Sequence, residues 1–316
     1  MLKITEKLRP FSHQPGTSCL VPRSDWIVRA YPALLRVQET EFAIHITGPV
    51  REFTIQMDLE RDCLWVWGIA KEGCFRYRLS ADVAGLSLYI DRSPKDGFKI
   101  GSHTLKAKDK LLLLSGGHLV APLKPERIFL GISKAQDWDQ VQKRNAIHEW
   151  APILYALAQK VPERGDVKEG PLTLIDNLPE FFSAAFEGIL VPHLNDPLHQ
   201  GLFSSVGKGN PLALLTRAFQ KLRGYLLVDN QILPALLADW HCGRALHLQS
   251  PYGRIDLEWT KGTLRQMVLH AEKTGEANFI FQKPIKSFRF NGERLERNQS
   301  LSIESGKTYL FDRFQK

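Results

Sequence analysis

Carboxylates in pairs can divide acid and base work in a hydrolytic reaction, and the middle of this chain carries several: Glu149, Asp176, Glu180, Glu187 and Asp196. Glu180 and Glu187 are seven apart, which puts them on one face of a helix. Asp196 sits in the polar loop His193-Leu-Asn-Asp-Pro-Leu-His199, flanked by two imidazoles. Glu187 and Asp196 are therefore the catalytic candidates, and His193 and His199 candidate binding residues. The plain alternative is that these are solvated or capping side chains, because no spacing fixes two carboxylates face to face. The two histidines lack the one-turn helical spacing of a zinc pair, and Cys19, Cys63, Cys74 and Cys242 show no Cys-x-x-Cys pattern, so no metal is expected. Val206-Gly-Lys-Gly209 resembles part of a phosphate loop without its spacing, and no Gly-x-Ser-x-Gly elbow is present. No cofactor is expected.

Aromatic rings offer a second chemistry, stacking on an apolar ring face. Trp65 and Trp67 are two apart in a strand pattern and share one face, and Trp150 is a further candidate. These three tryptophans either line a concave binding surface or fill a core.

The elements that position these groups fall into three segments. Residues 1–130 read as an N-terminal β-sandwich, with short β-branched and aromatic runs about every ten residues and turns between them. Leu111-Leu-Leu-Leu114 lacks alternation and is expected to be buried on both faces. Ser93-Pro-Lys-Asp-Gly97 reads as a turn. Residues 131–240 switch to helical periodicity over 133–160, 178–192 and 210–224, with Pro152 expected to kink or restart the first helix and Pro211 suited to a helix start. Residues 241–316 return to strands as a C-terminal β domain. The fold class expected is mainly β with a small α-helical insert.

Composition narrows the function classes. With 43% apolar and 24% charged residues, the chain can bury a large core. No apolar run approaches the ~18 residues of a membrane span, and residues 1–30 lack a signal-peptide layout, so a cytoplasmic protein is expected. The net charge of +8 is split: 19 Lys/Arg against 14 Asp/Glu over 1–130, 10 against 12 over 131–240, and 13 against 8 over 241–316. In Phe75-Arg-Tyr-Arg-Leu79 the cations alternate with apolar residues, which reads as the solvated face of a strand. Nucleic-acid binding is accordingly not expected.

One stretch carries a resemblance. Ile232-Leu-Pro-Ala-Leu-Leu-Ala-Asp-Trp240 is an apolar exit segment. It runs into Pro251-Tyr-Gly-Arg-Ile-Asp-Leu-Glu-Trp259-Thr-Lys-Gly262, where Ile255, Leu257 and Trp259 alternate with Asp256, Glu258 and Thr260. Lys261-Gly262 turns the chain, and Leu264, Met267 and Leu269 bring it back. The pairing resembles the C-terminal part of glycoside hydrolase family 95, the α-L-fucosidase-like enzymes, over roughly residues 200 to 281. The resemblance implies an (α/α) barrel between β domains, with a catalytic carboxylate on an Asp-Gly-Asn-Phe-Gly segment. That segment aligns with Val206-Gly-Lys-Gly-Asn210, so Val206 stands where the carboxylate would be. The segment between the β regions is also too short for a full barrel. The expectation is a non-catalytic glycoside-hydrolase-like protein that binds carbohydrate or a protein partner through its β domains. The alternative is an active glycosidase with a carboxylate pair from the helical region.

Overall fold

Residues 9, 11–117, 125–131, 147–160, 211–297 and 299–316 are described by a computed structural model. Alternating apolar and polar residues drive the first part into strands: β1 (Phe11–Ser12), β2 (Ser18–Leu20), β3 (Ile27–Tyr31), β4 (Leu34–Val37), β5 (Thr40–Ala43), β6 (Arg51–Asp58), β7 (Cys63–Ala70), β8 (Gly73–Asp82), β9 (Gly85–Arg92), β10 (Phe98–Ile100), β11 (His103–Leu105) and β12 (Lys110–Ser115). One antiparallel sheet has the order β1-β6-β7-β8-β9-β12, a second the order β2-β3-β4-β5, and β10 and β11 form a hairpin. Ile55, Met57, Leu64, Val66, Tyr77, Leu79, Leu86 and Leu88 project inward and are fully buried, sharing one core with Cys19, Val28, Leu35 and Val37 of the second sheet. Tyr77 and Phe98 pack their rings 5.2 Å apart in that core. The turn at Pro94–Gly97 forms as expected, with the Gly97 amide donating to the Pro94 carbonyl at 3.0 Å and Gly97 at φ 86°.

The expectation for Leu111–Leu114 is corrected. β12 is the edge of its sheet rather than a central strand, its register shifts between Leu112 and Leu114, and Leu112 is 45% exposed. An unbroken leucine run satisfies an edge strand with a bulge as well as a doubly covered one, so the run alone could not distinguish them.

The second part begins at β13 (Arg127–Phe129). It continues through helices α1 (Ile147–Ala158) and α2 (Pro211–Gly224) and strands β14 (Leu227–Val228), β15 (Gln231–Ile232), β16 (Cys242–Ser250), β17 (Gly253–Thr260) and β18 (Thr263–Ala271). β19 (Gly275–Ala277), β20 (Ser287–Phe290), β21 (Glu293–Glu296), β22 (Leu301–Ile303) and β23 (Thr308–Gln315) complete it. The main sheet of this part has the order β13-β16-β17-β18-β23-β20-β21, all antiparallel, so β13 belongs to this seven-stranded sheet by its pairing with β16. The chain is mainly β with two helices among the described residues. α1 runs through Pro152 without a break, and α2 starts at Pro211, whose missing N–H is no loss in the first turn. No helix among the described residues is long and apolar enough to cross a membrane.

The exit segment and hairpin fold as their pattern requires. Ile255, Leu257 and Trp259 point into the core, and burial of each such side chain contributes on the order of 1.5–3 kcal/mol. Lys261 and Gly262 both have positive φ, 54° and 68°, as a two-residue hairpin turn that matches the strand twist demands. Glu258 pairs with Gln266 but Trp259 pairs with Leu264, so Arg265 is an extra residue. That bulge explains why Leu264 and Met267, three apart, both face inward. The Trp259 indole N–H donates to the Trp240 carbonyl at 2.9 Å, fastening the exit segment to the sheet. Gly243, paired with Trp259, lies directly beneath the ring.

Two helices and the seven-stranded sheet meet at Glu126. Its carboxylate accepts from Arg223 Nε at 3.1 and 3.2 Å, from the Gln249 amide at 2.8 Å and from the Tyr155 hydroxyl in a short contact. Gln159 bonds both the amide and the carbonyl of Glu126, at 2.7 and 2.8 Å. The buried charge is thus paired and hydrogen-bonded on every side, and it ties α1 and α2 to β16.

Candidate functional site

The outward face of the six-stranded sheet carries a register row of unusual composition. Phe11 is opposite Gln56, Gln56 opposite Trp65, Trp65 opposite Arg78, Arg78 opposite Tyr89, and Tyr89 opposite Lys110. Cross-strand partners share a face, so these six side chains form one line across β1, β6, β7, β8, β9 and β12, about 24 Å long at ~4.8 Å per strand. Aromatic residues occupy every second strand. A neighbouring row runs Thr54, Trp67, Arg76, Arg92.

Cations lie on the rings. The Arg76 guanidinium carbon is 4.2 Å from the Trp65 ring centroid and 5.8 Å from that of Trp67. Arg78 is 5.8 Å from Trp65 and 4.7 Å from Tyr89, and Lys110 Nζ is 5.2 Å from Tyr89. Such contacts are attractive, because the ring face carries the negative part of the aromatic quadrupole, and together they favour one arrangement of these long side chains. Arg76 is also 3.6 Å from Asp91, and Lys110 3.2 Å from Asp82. The Tyr89 hydroxyl, then Asp82, push the Lys110 ammonium further toward its charged form, while the Ala84 amide and Lys110 hold the Asp82 carboxyl below its usual range. Arg78 makes no ion pair among the described residues.

These distances place the Arg76 and Arg78 guanidinium groups against aromatic rings on this face. A planar fork with free N–H groups recognises carboxylate or sulfate bidentately, and its ordering entropy is already lost before binding. Trp67, Arg76, Arg78 and Tyr89 are half-buried, and Lys110 and Arg92 exposed, so these six side chains are reachable, whereas Thr54 and Trp65 of the same two rows are buried. On the other side of the longer row, Asp58, Cys63 and Ser87 are buried, while Leu112, opposite Ser87, is exposed.

A second polar line crosses the seven-stranded sheet. His270 Nε2 is 3.4 Å from Asp256 Oδ2, and its Nδ1 is 3.3 Å from Thr308 Oγ1. Hydroxyl, imidazole and carboxylate in that order are the parts of a nucleophilic relay. Here they sit on three adjacent strands of a flat outward face. Asp256 spends its other oxygen on the His247 amide at 2.7 Å, at the bulge of β16 where His247 takes φ 61°. The arrangement serves as a cross-strand ladder that fixes the bulge.

Of the residues singled out from sequence, Trp65 and Trp67 lie on one face of β7 as expected. Trp65 is only 6% exposed, under Arg76. Trp150 is in α1, but its side chain lies outside the described residues. Glu187, Asp196, His193, His199 and Val206 also lie outside them. Among the described residues no group of three or more His, Cys, Asp or Glu is placed to hold a metal. Cys74 is exposed, Cys242 half-buried, and Cys19 and Cys63 buried, all as free thiols.

Arg76, Arg78, Tyr89 and Lys110 were not anticipated as site residues. The signal for the two arginines was the alternation in Phe75–Leu79, read as an ordinary solvated face. Strand alternation gathers Arg76 and Arg78 on one side, and only the register with β7 and β9 sets them against Trp65, Trp67 and Tyr89. The chain matches no family model and no curated protein.

Proposed function

We propose that this chain is a non-catalytic carbohydrate-binding protein on a glycoside-hydrolase-like frame, taking its ligand along the outward face of the six-stranded sheet. The observation that carries the reading is the row Phe11, Gln56, Trp65, Arg78, Tyr89, Lys110 with its companion Thr54, Trp67, Arg76, Arg92. A linear array of aromatic edges and fixed hydrogen-bond donors suits an extended hydroxyl-rich chain, which needs many shallow contacts rather than one deep pocket. The resemblance of residues 232–262 to family 95 enzymes, with Val206 at the carboxylate position, supports a frame without its acid.

The test is a panel of oligosaccharides screened for binding and for turnover, with wild type, Trp67→Ala, Tyr89→Ala and Glu187→Gln/Asp196→Asn. Binding without turnover, weakened at least tenfold by Trp67→Ala or Tyr89→Ala, is the expected result. Turnover that disappears in the carboxylate double variant would sink the reading in favour of an active glycosidase. Absence of any glycan binding would move the function to a protein partner.

A further inference from the structure

Resting on that reading, we infer that the glycan is an acidic one, carrying carboxylate or sulfate groups that are gripped by Arg78 together with Arg76, Arg92 and Lys110. Charge on the face is the first reason. Four cations occupy the two rows, and the carboxylates beside them are Asp91 on Arg76 and Asp82 on Lys110, which leaves Arg78 and Arg92 without an ion pair among the described residues. Arg78 lies at the centre of the longer row, with Trp65 at 5.8 Å and Tyr89 at 4.7 Å, so its position is set by packing and its fork is uncommitted. A clamped, half-buried guanidinium without a counter-ion is a ready site for a bidentate anion.

The state of the rings is the second reason. Trp65 is covered by Arg76, and Tyr89 has Arg78 and Lys110 within cation–π distance. A neutral sugar seeking a bare aromatic platform would have to displace these cations. So would a nucleobase, since binding of single strands leans on stacking against free ring faces. Recognition therefore falls to the guanidinium and ammonium donors, which read anions repeated along a linear chain. The line of the row, about five strand spacings end to end, suits an extended polymer more than a compact metabolite.

The experiment uses the full chain and measures binding of four probes: a polyuronate, a sulfated glycosaminoglycan, a neutral β-glucan and an oligothymidylate. Each is titrated at low and high salt with wild type, Arg78→Gln and Arg78→Lys. Thermal unfolding of each variant checks that the sheet is intact. The expected result is that one or both acidic glycans bind and weaken as salt rises. Arg78→Gln should lose about tenfold or more, and Arg78→Lys should recover part of that loss because charge returns without the fork. Preference for the neutral glucan, sensitive to Trp67→Ala but not to Arg78→Gln, overturns this inference and leaves the carbohydrate reading in place. Tighter binding of oligothymidylate than of either acidic glycan overturns both, as does binding of no probe at all.

Discussion

Replacing Gly243 by alanine tests how the exit segment and hairpin hold each other. Gly243 on β16 faces Trp259 on β17, and a Cβ there would lie 2.3 Å from Trp259 Cζ2 and 2.9 Å from Cε2. On the other side it would lie 2.7 Å from the Phe129 carbonyl oxygen of β13. Backbone blocks one escape. The other is a fully buried indole pinned by its N–H to the Trp240 carbonyl at 2.9 Å. The ring has to move by about an ångström, and overpacking of that kind destabilises by about 1–3 kcal/mol. Misaligning the indole hydrogen bond adds about 1 kcal/mol, so the expected loss is about 2–4 kcal/mol. Urea unfolding followed by tryptophan emission measures it. A Trp259→Phe background removes Cζ2, the nearest of the clashing atoms, so the alanine should cost at least about 1 kcal/mol less there, a coupling expected only of residues in contact. A Gly243→Ala protein within about 0.5 kcal/mol of wild type would refute the reasoning.

Three further outcomes follow from the described contacts. Glu126→Gln removes the charge opposite Arg223 and should destabilise by about 2–4 kcal/mol in urea, short of a fully buried pair because Arg223 is a quarter exposed; an unchanged midpoint would show the cluster to be dispensable. Tyr77→Phe should leave stability unchanged or raise it by up to about 1 kcal/mol, because the Tyr77 hydroxyl is buried without a hydrogen-bond partner among the described residues; a loss above about 1 kcal/mol would reveal a partner. Burial pushes the Cys19 thiol far up and the Cys63 thiol up to about 11, so thiolate is scarce at both near pH 8. Alkylation of the native protein read by mass spectrometry should therefore label exposed Cys74 first and leave Cys19 unmodified until unfolding; early labelling of Cys19 would contradict its burial.

Much of the architecture was legible in one dimension. Period-two alternation is a local property, so Ile255, Leu257 and Trp259 announced their buried face, Lys261-Gly262 its turn and Pro211 its helix start without reference to anything distant. The mainly β class with a small helical insert followed from the same local patterns. Alternation also placed Trp65 with Trp67, and Arg76 with Arg78, each pair on one side of its own strand. It could not say that the two sides coincide, because pairing register is set by contacts between residues far apart in the chain. Gly243 carried no signal for the same reason: its lack of a side chain matters only under an indole from the next strand. Leu111–Leu114 failed in the opposite sense, since whether a leucine run is central or at an edge depends on what pairs beside it. Away from the bulges, the sequence by itself determined which face each side chain takes along its own strand. Tertiary structure alone decided which faces meet, because cross-strand neighbours a few ångströms apart are brought together by the fold and not by the chain.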